Sequence, residues 1–156
     1  MRIDIYTDGS CKVHETKNGT GAFIVIEIDS ITDNEKTLYQ TYFRESNTTN
    51  NRMELLSVIN ALQWCEENTT SQDYINFHID STYVQKGLAQ WAHKWRKNGW
   101  KRKISRNIWE PIPNADLWQQ LWKLHLNNIY IKYNWVKGHS SNKWNNYVDK
   151  LCKQAY

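Results

Sequence analysis

The chain is expected to fold as one α/β domain around a mixed β-sheet whose first three strands run antiparallel. Three observations carry this expectation. The first 43 residues read as strands separated by turn signals. The remainder alternates between segments of helical spacing and short β-rich runs. No internal repeat, linker or low-complexity segment interrupts the 156 residues, a length that suits a single domain over 1–156.

Ile3, Ile5 and Thr7 alternate with Asp4, Tyr6 and Asp8, the period of a first strand. Gly21 to Ile28 is a short apolar run rich in β-branched residues and forms the second. Asp33-Asn34 signals a turn, and Leu38 to Phe43, with its Tyr and Thr, forms the third. The period then changes. Met53, Leu56, Leu62 and Cys65 follow at near-helical spacing, so a helix is expected over about 51–67. Asn51 and Glu54 are placed like a capping box at its start. Tyr74 to Ile79 is a fourth strand that ends at Asp80. Ser81 to Trp95 reads as helix, with Gly87 a weak point inside it and Asn98-Gly99 as its stop. Lys101 to Pro113 reads as irregular because Pro111 and Pro113 break any pattern. Asp116 to Leu126 is helical, Ile129 to Val136 a strand, and Asn142 to Gln154 a last helix.

Composition excludes several classes. Hydrophobic residues make up 40 % of the chain, enough for a core, so disorder is excluded. No apolar run approaches the roughly 20 residues of a membrane span, and the N-terminus resembles neither a signal nor a transit peptide. Cys11, Cys65 and Cys152 are an odd, sparse set without a Cys-x-x-Cys pair. They read as reduced thiols of a cytoplasmic protein rather than a disulfide frame or zinc site. The net charge of +4 is unevenly spread: seven of the 20 Lys and Arg residues lie between Trp91 and Arg106, where none of the 16 acidic residues falls. A basic patch on an otherwise acidic body points to a polyanion site, although a charge run alone fits a solvated face equally well.

Four carboxylates sit at places where ligands bind. Asp8 and Asp80 close two strands, Glu54 lies in the first turn of the first long helix, and Asp149 lies within the last helix. Each has an ordinary reading by itself: a turn residue, a helix cap, a capping-box partner and one end of a surface ion pair. Taken together they have another, because converging carboxylates repel one another unless a divalent ion binds. Mg²⁺, which prefers hard oxygen ligands, suits such a set. Spacing alone does not establish the convergence.

Motifs in order along nearly the whole chain settle what the set resembles. Ile5-Tyr6-Thr7-Asp8-Gly9-Ser10-Cys11, Thr49-Asn50-Asn51-Arg52-Met53-Glu54-Leu55 and Asp80-Ser81-Thr82-Tyr83-Val84 come first. The basic, Trp-rich Trp91 to Lys101, then Asp116-Leu117-Trp118, Trp135-Val136-Lys137-Gly138-His139 and finally Asp149 follow. The chain resembles the type 1 ribonuclease H family, bacterial members with a basic protrusion above all. The resemblance implies a ribonuclease H-like fold, with a five-stranded mixed sheet flanked by helices. It implies an endonuclease that hydrolyses the RNA strand of RNA–DNA hybrids by two-metal-ion catalysis, largely without regard to sequence, leaving 5′-phosphate and 3′-hydroxyl ends. Asp8, Glu54, Asp80 and Asp149 would hold two Mg²⁺ or Mn²⁺ ions, and His139 would assist proton transfer or product departure. No obligate protein partner and no membrane are implied; a free-standing, cytoplasmic monomer is expected.

The resemblance also places the substrate. Positions around Ser10, Cys11 and Asn50 match those that touch RNA sugars, where the 2′-hydroxyl marks RNA. Thr49 and Asn51 match positions facing the DNA strand, and both also suit helix capping. Trp91 and Trp95 share a helix face. With Trp100 and the interleaved Lys94, Lys97 and Lys101 they fit a groove in which rings meet deoxyribose and cations meet phosphates. Packing of the protrusion onto the body is the other reading of each ring. Two loops depart from the family pattern. The one after Cys11 lacks the usual Gly- and Pro-rich run, and the one after His139 lacks a usual Gly and carries Asn145-Asn146. A nuclease of the same architecture acting on DNA and a non-catalytic binding module are the rival readings.

Overall fold

The computed structural model describes residues 1–12, 17–136 and 142–155. Its main sheet has five strands in the order β3-β2-β1-β4-β7, formed by β1 (Arg2–Cys11), β2 (Gly19–Ile28), β3 (Glu35–Glu45), β4 (Tyr74–Ile79) and β7 (Lys132–Trp135). β1, β2 and β3 are antiparallel, whereas β4 runs parallel to β1 and β7 parallel to β4. The expected mixed α/β sheet is therefore present.

Helices cover both faces, and this explains the unbroken apolar run of β2. On one face α1 (Asn50–Asn68) and α4 (Ala115–Asn127) close a core around Ile3, Ile5, Phe23, Val25, Leu62, Phe77, Ile79 and Trp118. On the other, α5 (Lys143–Gln154) lays Val148, Leu151 and Cys152 on Tyr6, Ala22, Ile24 and Ile26. β1 serves both cores through its alternation.

Several boundaries differ from expectation for local reasons. The first helix is capped by Thr49, whose hydroxyl accepts from the Arg52 N–H at 3.2 Å, so Asn51 lies inside the helix and Glu54 has no capping-box role. Ser81, not Asp80, caps α2 (Thr82–Lys86) by accepting from the Val84 N–H. The last strand is shorter than expected because Ile131 closes a turn onto the Asn128 carbonyl. The expected irregular stretch contains a β-hairpin, β5 (Lys101–Ser105) paired with β6 (Ile108–Pro111).

Gly87 opens a π-helical turn, Gly87–Trp91, between α2 and α3 (Ala92–Lys97). A Cβ there would lie 1.9 Å from the Trp118 ring, so the widened turn and the missing side chain together admit the indole. The Trp118 ring is itself fixed, its N–H donating to the Tyr83 hydroxyl at 2.9 Å. Gly87→Ala is expected to destabilise the protein by about 1–3 kcal/mol, the usual cost of overpacking, which a urea melt of the variant beside wild type will read.

Candidate metal and nucleic-acid site

The sheet register brings the first two carboxylates together. Tyr6 and His78 are the last pair of the parallel β1–β4 ladder, and two residues beyond them lie Asp8 and Asp80. Asp8 does not close its strand as expected, because β1 runs on to Cys11 against β2, whereas β4 stops at Ile79. Glu54 arrives from α1 because the helix touches β1 at Gly9. A Cβ on Gly9 would lie 2.4 Å from the Met53 carbonyl carbon and 2.5 Å from the Glu54 nitrogen. Two hydrogen bonds hold this approach. Ser57 donates to the Asp8 carbonyl at 2.6 Å, and Asn50 Oδ1 accepts from the Cys11 N–H at 2.5 Å. Neither Ser57 nor its task was visible in the sequence, where it is one more polar residue in a helical run.

Asp8, Glu54 and Asp80 each place one carboxylate oxygen within 4.8 Å of the others. Asp8 is 9 % exposed, and Glu54 Oε2 is buried without a hydrogen-bond partner among the described residues. Burial and the nearby Asp80 and Asp149 carboxylates push the Asp8 carboxyl up to about 8, against the pull of the Gly9 N–H. Burial, Asp8 and Asp80 likewise hold the Glu54 carboxyl well above its ordinary range. Acids that resist ionisation together are those a cation would ionise. Hard oxygen donors with no imidazole or thiolate among them fit Mg²⁺ or Mn²⁺ rather than zinc.

Asp149 stands at the rim. It is near enough to Asp8 to raise that group's affinity for its proton, but it lies outside the three-oxygen cluster, with Oδ2 3.1 Å from Lys153 Nζ. The surface ion pair that the sequence allowed is thus present beside the site. His139 and most of the loop leading to α5 lie outside the described residues, as does the middle of the loop after Cys11.

The other expected contact residues fall into two groups. Ser10, Cys11, Thr49, Asn50 and Asn51 gather where β1 ends and α1 begins, next to the carboxylates; Cys11 Sγ also donates to the Thr48 carbonyl at 3.3 Å. Trp91 and Trp95 line a cleft of about 320 Å³ together with Tyr83, Arg102 and Pro113. Both rings also pack. Trp91 and Trp95 are 5.5 Å apart between centroids, and Trp95 meets Trp118 edge-on at 5.5 Å. Trp100 packs against the main core in left-handed backbone, φ 62°, while Lys94, Lys97 and Lys101 are exposed. Asp116 is explained by a two-pronged ion pair with Arg52, at 3.0 and 2.9 Å, that ties the start of α4 to the start of α1. The guanidinium holds the Asp116 carboxyl below its usual value.

A mixed sheet with three carboxylates clustered where the parallel pairing of β1 and β4 stops defines an α/β protein with a site that could hold a divalent cation. The RNase H family model matches residues 1–156. A ribonuclease H of Chromobacterium violaceum is 37 % identical over 154 residues, covering 99 % of this chain and 94 % of its own. One of Treponema denticola is 39 % identical over 165 residues, covering 99 % and 97 %. Among solved structures, LC9-RNase H1, a type 1 RNase H with the type 2 active-site motif, matches with a TM-score of 0.80 and 29 % identity over 99 % of this chain and 71 % of its own. The RNase H domain of PFV shares the fold at a TM-score of 0.77 and 20 % identity, over 98 % of this chain and 93 % of its own. The chain belongs to the ribonuclease H family.

Proposed function

We propose that this chain, acting as one domain over 1–156, is an endonuclease that hydrolyses the RNA strand of RNA–DNA hybrids in the cytoplasm as a monomer. The observation that carries this reading is the cluster of Asp8, Glu54 and Asp80, set directly beside Ser10, Cys11 and Asn50. Asp8, Glu54 and Asp80, with Asp149 at the rim, would hold two Mg²⁺ or Mn²⁺ ions. Such a pair supplies activation of the attacking water and charge stabilisation at the departing 3′ oxygen, giving 5′-phosphate and 3′-hydroxyl ends.

The chain's own groups do the rest. The Ser57 hydroxyl holds the β1 backbone at the Asp8 carbonyl, and the Gly9 N–H donates to the Asp8 and Glu54 carboxylates. Ser10, Cys11 and Asn50 meet the RNA sugars, and Thr49 and Asn51 the DNA strand. The Trp91–Trp95 cleft with Trp100, Lys94, Lys97 and Lys101 takes deoxyribose and phosphate. His139 assists proton transfer or product departure. Contacts to sugar and phosphate carry little base information, so cutting is indifferent to sequence. No helix among the described residues is long and apolar enough to cross a membrane.

The test is cleavage of a labelled RNA–DNA hybrid beside RNA–RNA and DNA–DNA duplexes, with Mg²⁺ and with chelator. Metal-dependent cutting of the hybrid's RNA strand alone is expected. An intact hybrid in both Mg²⁺ and Mn²⁺ overturns the reading.

A further inference from the structure

One side chain beneath α5 breaks the pattern around it. β2 turns Thr20, Ala22, Ile24 and Ile26 towards that helix, and of these only Thr20 is polar. Thr20 is fully buried, where valine has the same shape, suits a strand better and leaves no hydroxyl to satisfy. The hydroxyl has two partners instead. Thr20 pairs directly with Ser10 across the β1–β2 ladder, so the two side chains share a face, and their oxygens are 3.4 Å apart. Cys152 of α5 is the second partner, its Sγ 3.2 Å from Thr20 Oγ1.

The protons in this chain of groups have one consistent order. Burial pushes the Cys152 thiol up to about 12, so it keeps its single proton. That proton goes to the Thr20 carbonyl, 3.3 Å from Sγ. The sulfur is then an acceptor for the Thr20 hydroxyl, and the Thr20 oxygen in turn is an acceptor for the Ser10 hydroxyl. Every donor in the chain points inward and the last acceptor is a carbonyl, which has no proton to return. Ser10, partly exposed at the outer end, is left with lone pairs to offer.

We infer that Thr20, backed by Cys152, is a positioning residue that presents Ser10 Oγ as an acceptor to the 2′-hydroxyl of the RNA strand, and so favours ribose over deoxyribose at this site. The inference rests on the hybrid-cutting reading above, which places Ser10 at the RNA sugars and gives Thr20 and Cys152 no part. The 2′-hydroxyl marks RNA and can donate a hydrogen bond, whereas deoxyribose has nothing to donate there. The direction of the Ser10 hydroxyl is set from inside the protein before substrate arrives, so it need not be ordered on binding.

The test is binding of two labelled hybrids in chelator. One has an ordinary RNA strand; the other carries 2′-fluoro groups, which keep an electronegative atom but have no proton to donate. Wild type is expected to prefer the hydroxyl hybrid. Thr20→Val is expected to reduce this preference about three- to tenfold, the worth of one hydrogen bond, with the fluoro hybrid bound as by wild type. Thr20→Ser, which keeps the hydroxyl, is expected to retain the preference. In a Ser10→Ala background Thr20→Val is expected to cost nothing further, since the two groups act through one contact. Cys152→Ala removes the sulfur that takes the Thr20 proton and is expected to reduce the preference at least about twofold; it carries the test should Thr20→Val not fold. A merely structural role, in seating α5 on the sheet, would weaken both hybrids alike, and that result overturns the inference. So does an unchanged preference in Thr20→Val and Cys152→Ala while wild type cuts hybrid normally. Wild type that cuts no hybrid overturns both readings.

Discussion

Asp80→Asn is expected to abolish hybrid cleavage while leaving the fold intact and the metal-free protein more stable. Asp80 is one of the two carboxylates that raise Asp8 and Glu54 by charge, so an amide there removes repulsion as well as a metal ligand. Activity and melting temperature should therefore move in opposite directions, a combination that a simple structural role for Asp80 does not give. Full activity in this variant defeats the metal-site assignment.

The same cluster fixes a pH dependence. In the folded, metal-free protein Asp8 keeps its proton up to about 8, against an ordinary value of 3.8, and Glu54 shifts in the same direction. The native state thus binds more protons than the unfolded chain between those values. The stability contributed by Asp8 is complete below 3.8 and is lost as the pH rises through about 8. In chelator, the melting temperature should fall across this window. Mg²⁺, which binds the ionised carboxylates of the folded state only, should restore most of it at the alkaline end. Identical pH profiles with and without Mg²⁺ would remove the cation from the account.

Gly9→Ala is expected to have the second large effect. The added methyl would meet the backbone of Met53 and Glu54 at 2.4–2.6 Å, and backbone cannot swing aside as a flexible side chain can. Either α1 moves off β1 or β1 bends. Both strain the Asn50–Cys11 and Ser57–Asp8 hydrogen bonds and part Glu54 from Asp8. A displacement of about 1 Å can cost about 100-fold in rate, and overpacking costs about 1–3 kcal/mol of stability. The check is kcat on hybrid together with a urea melt. A variant that keeps its activity and its stability would show that the contact between β1 and α1 can relax.

Much of this was legible in the sequence, and its limits follow from where each signal originates. Alternation in β1, the apolar run of β2 and the helical spacing from Met53 to Cys65 were readable because burial on defined faces imposes them. The hairpin was not readable for the same reason. Lys-Arg-Lys-Ile-Ser buries neither face, so no apolar period marks it, and Pro111 and Pro113 suggested a break. Of the two caps the sequence offered, Thr49 serves and Asn51 does not, because capping depends on which residue leaves the helical backbone, and local order does not fix that among several polar neighbours. The widened turn at Gly87 depended on a ring 31 residues away, that of Trp118.

By itself the sequence determined the five strands of the main sheet and the long helices, the acids Asp8 and Asp80 in and after β1 and β4, and the basic Trp-rich segment, since each is written in local residue order and in motifs. Tertiary structure alone decided that Asp8, Glu54 and Asp80 converge, that Asp149 stands at their rim beside Lys153, and that Trp91 and Trp95 both pack and line a cleft. Strand register, the close approach of α1 at Gly9 and the meeting of α3 with α4 through Trp95 and Trp118 set those distances. Each is a contact between residues far apart in the chain, which no local pattern encodes.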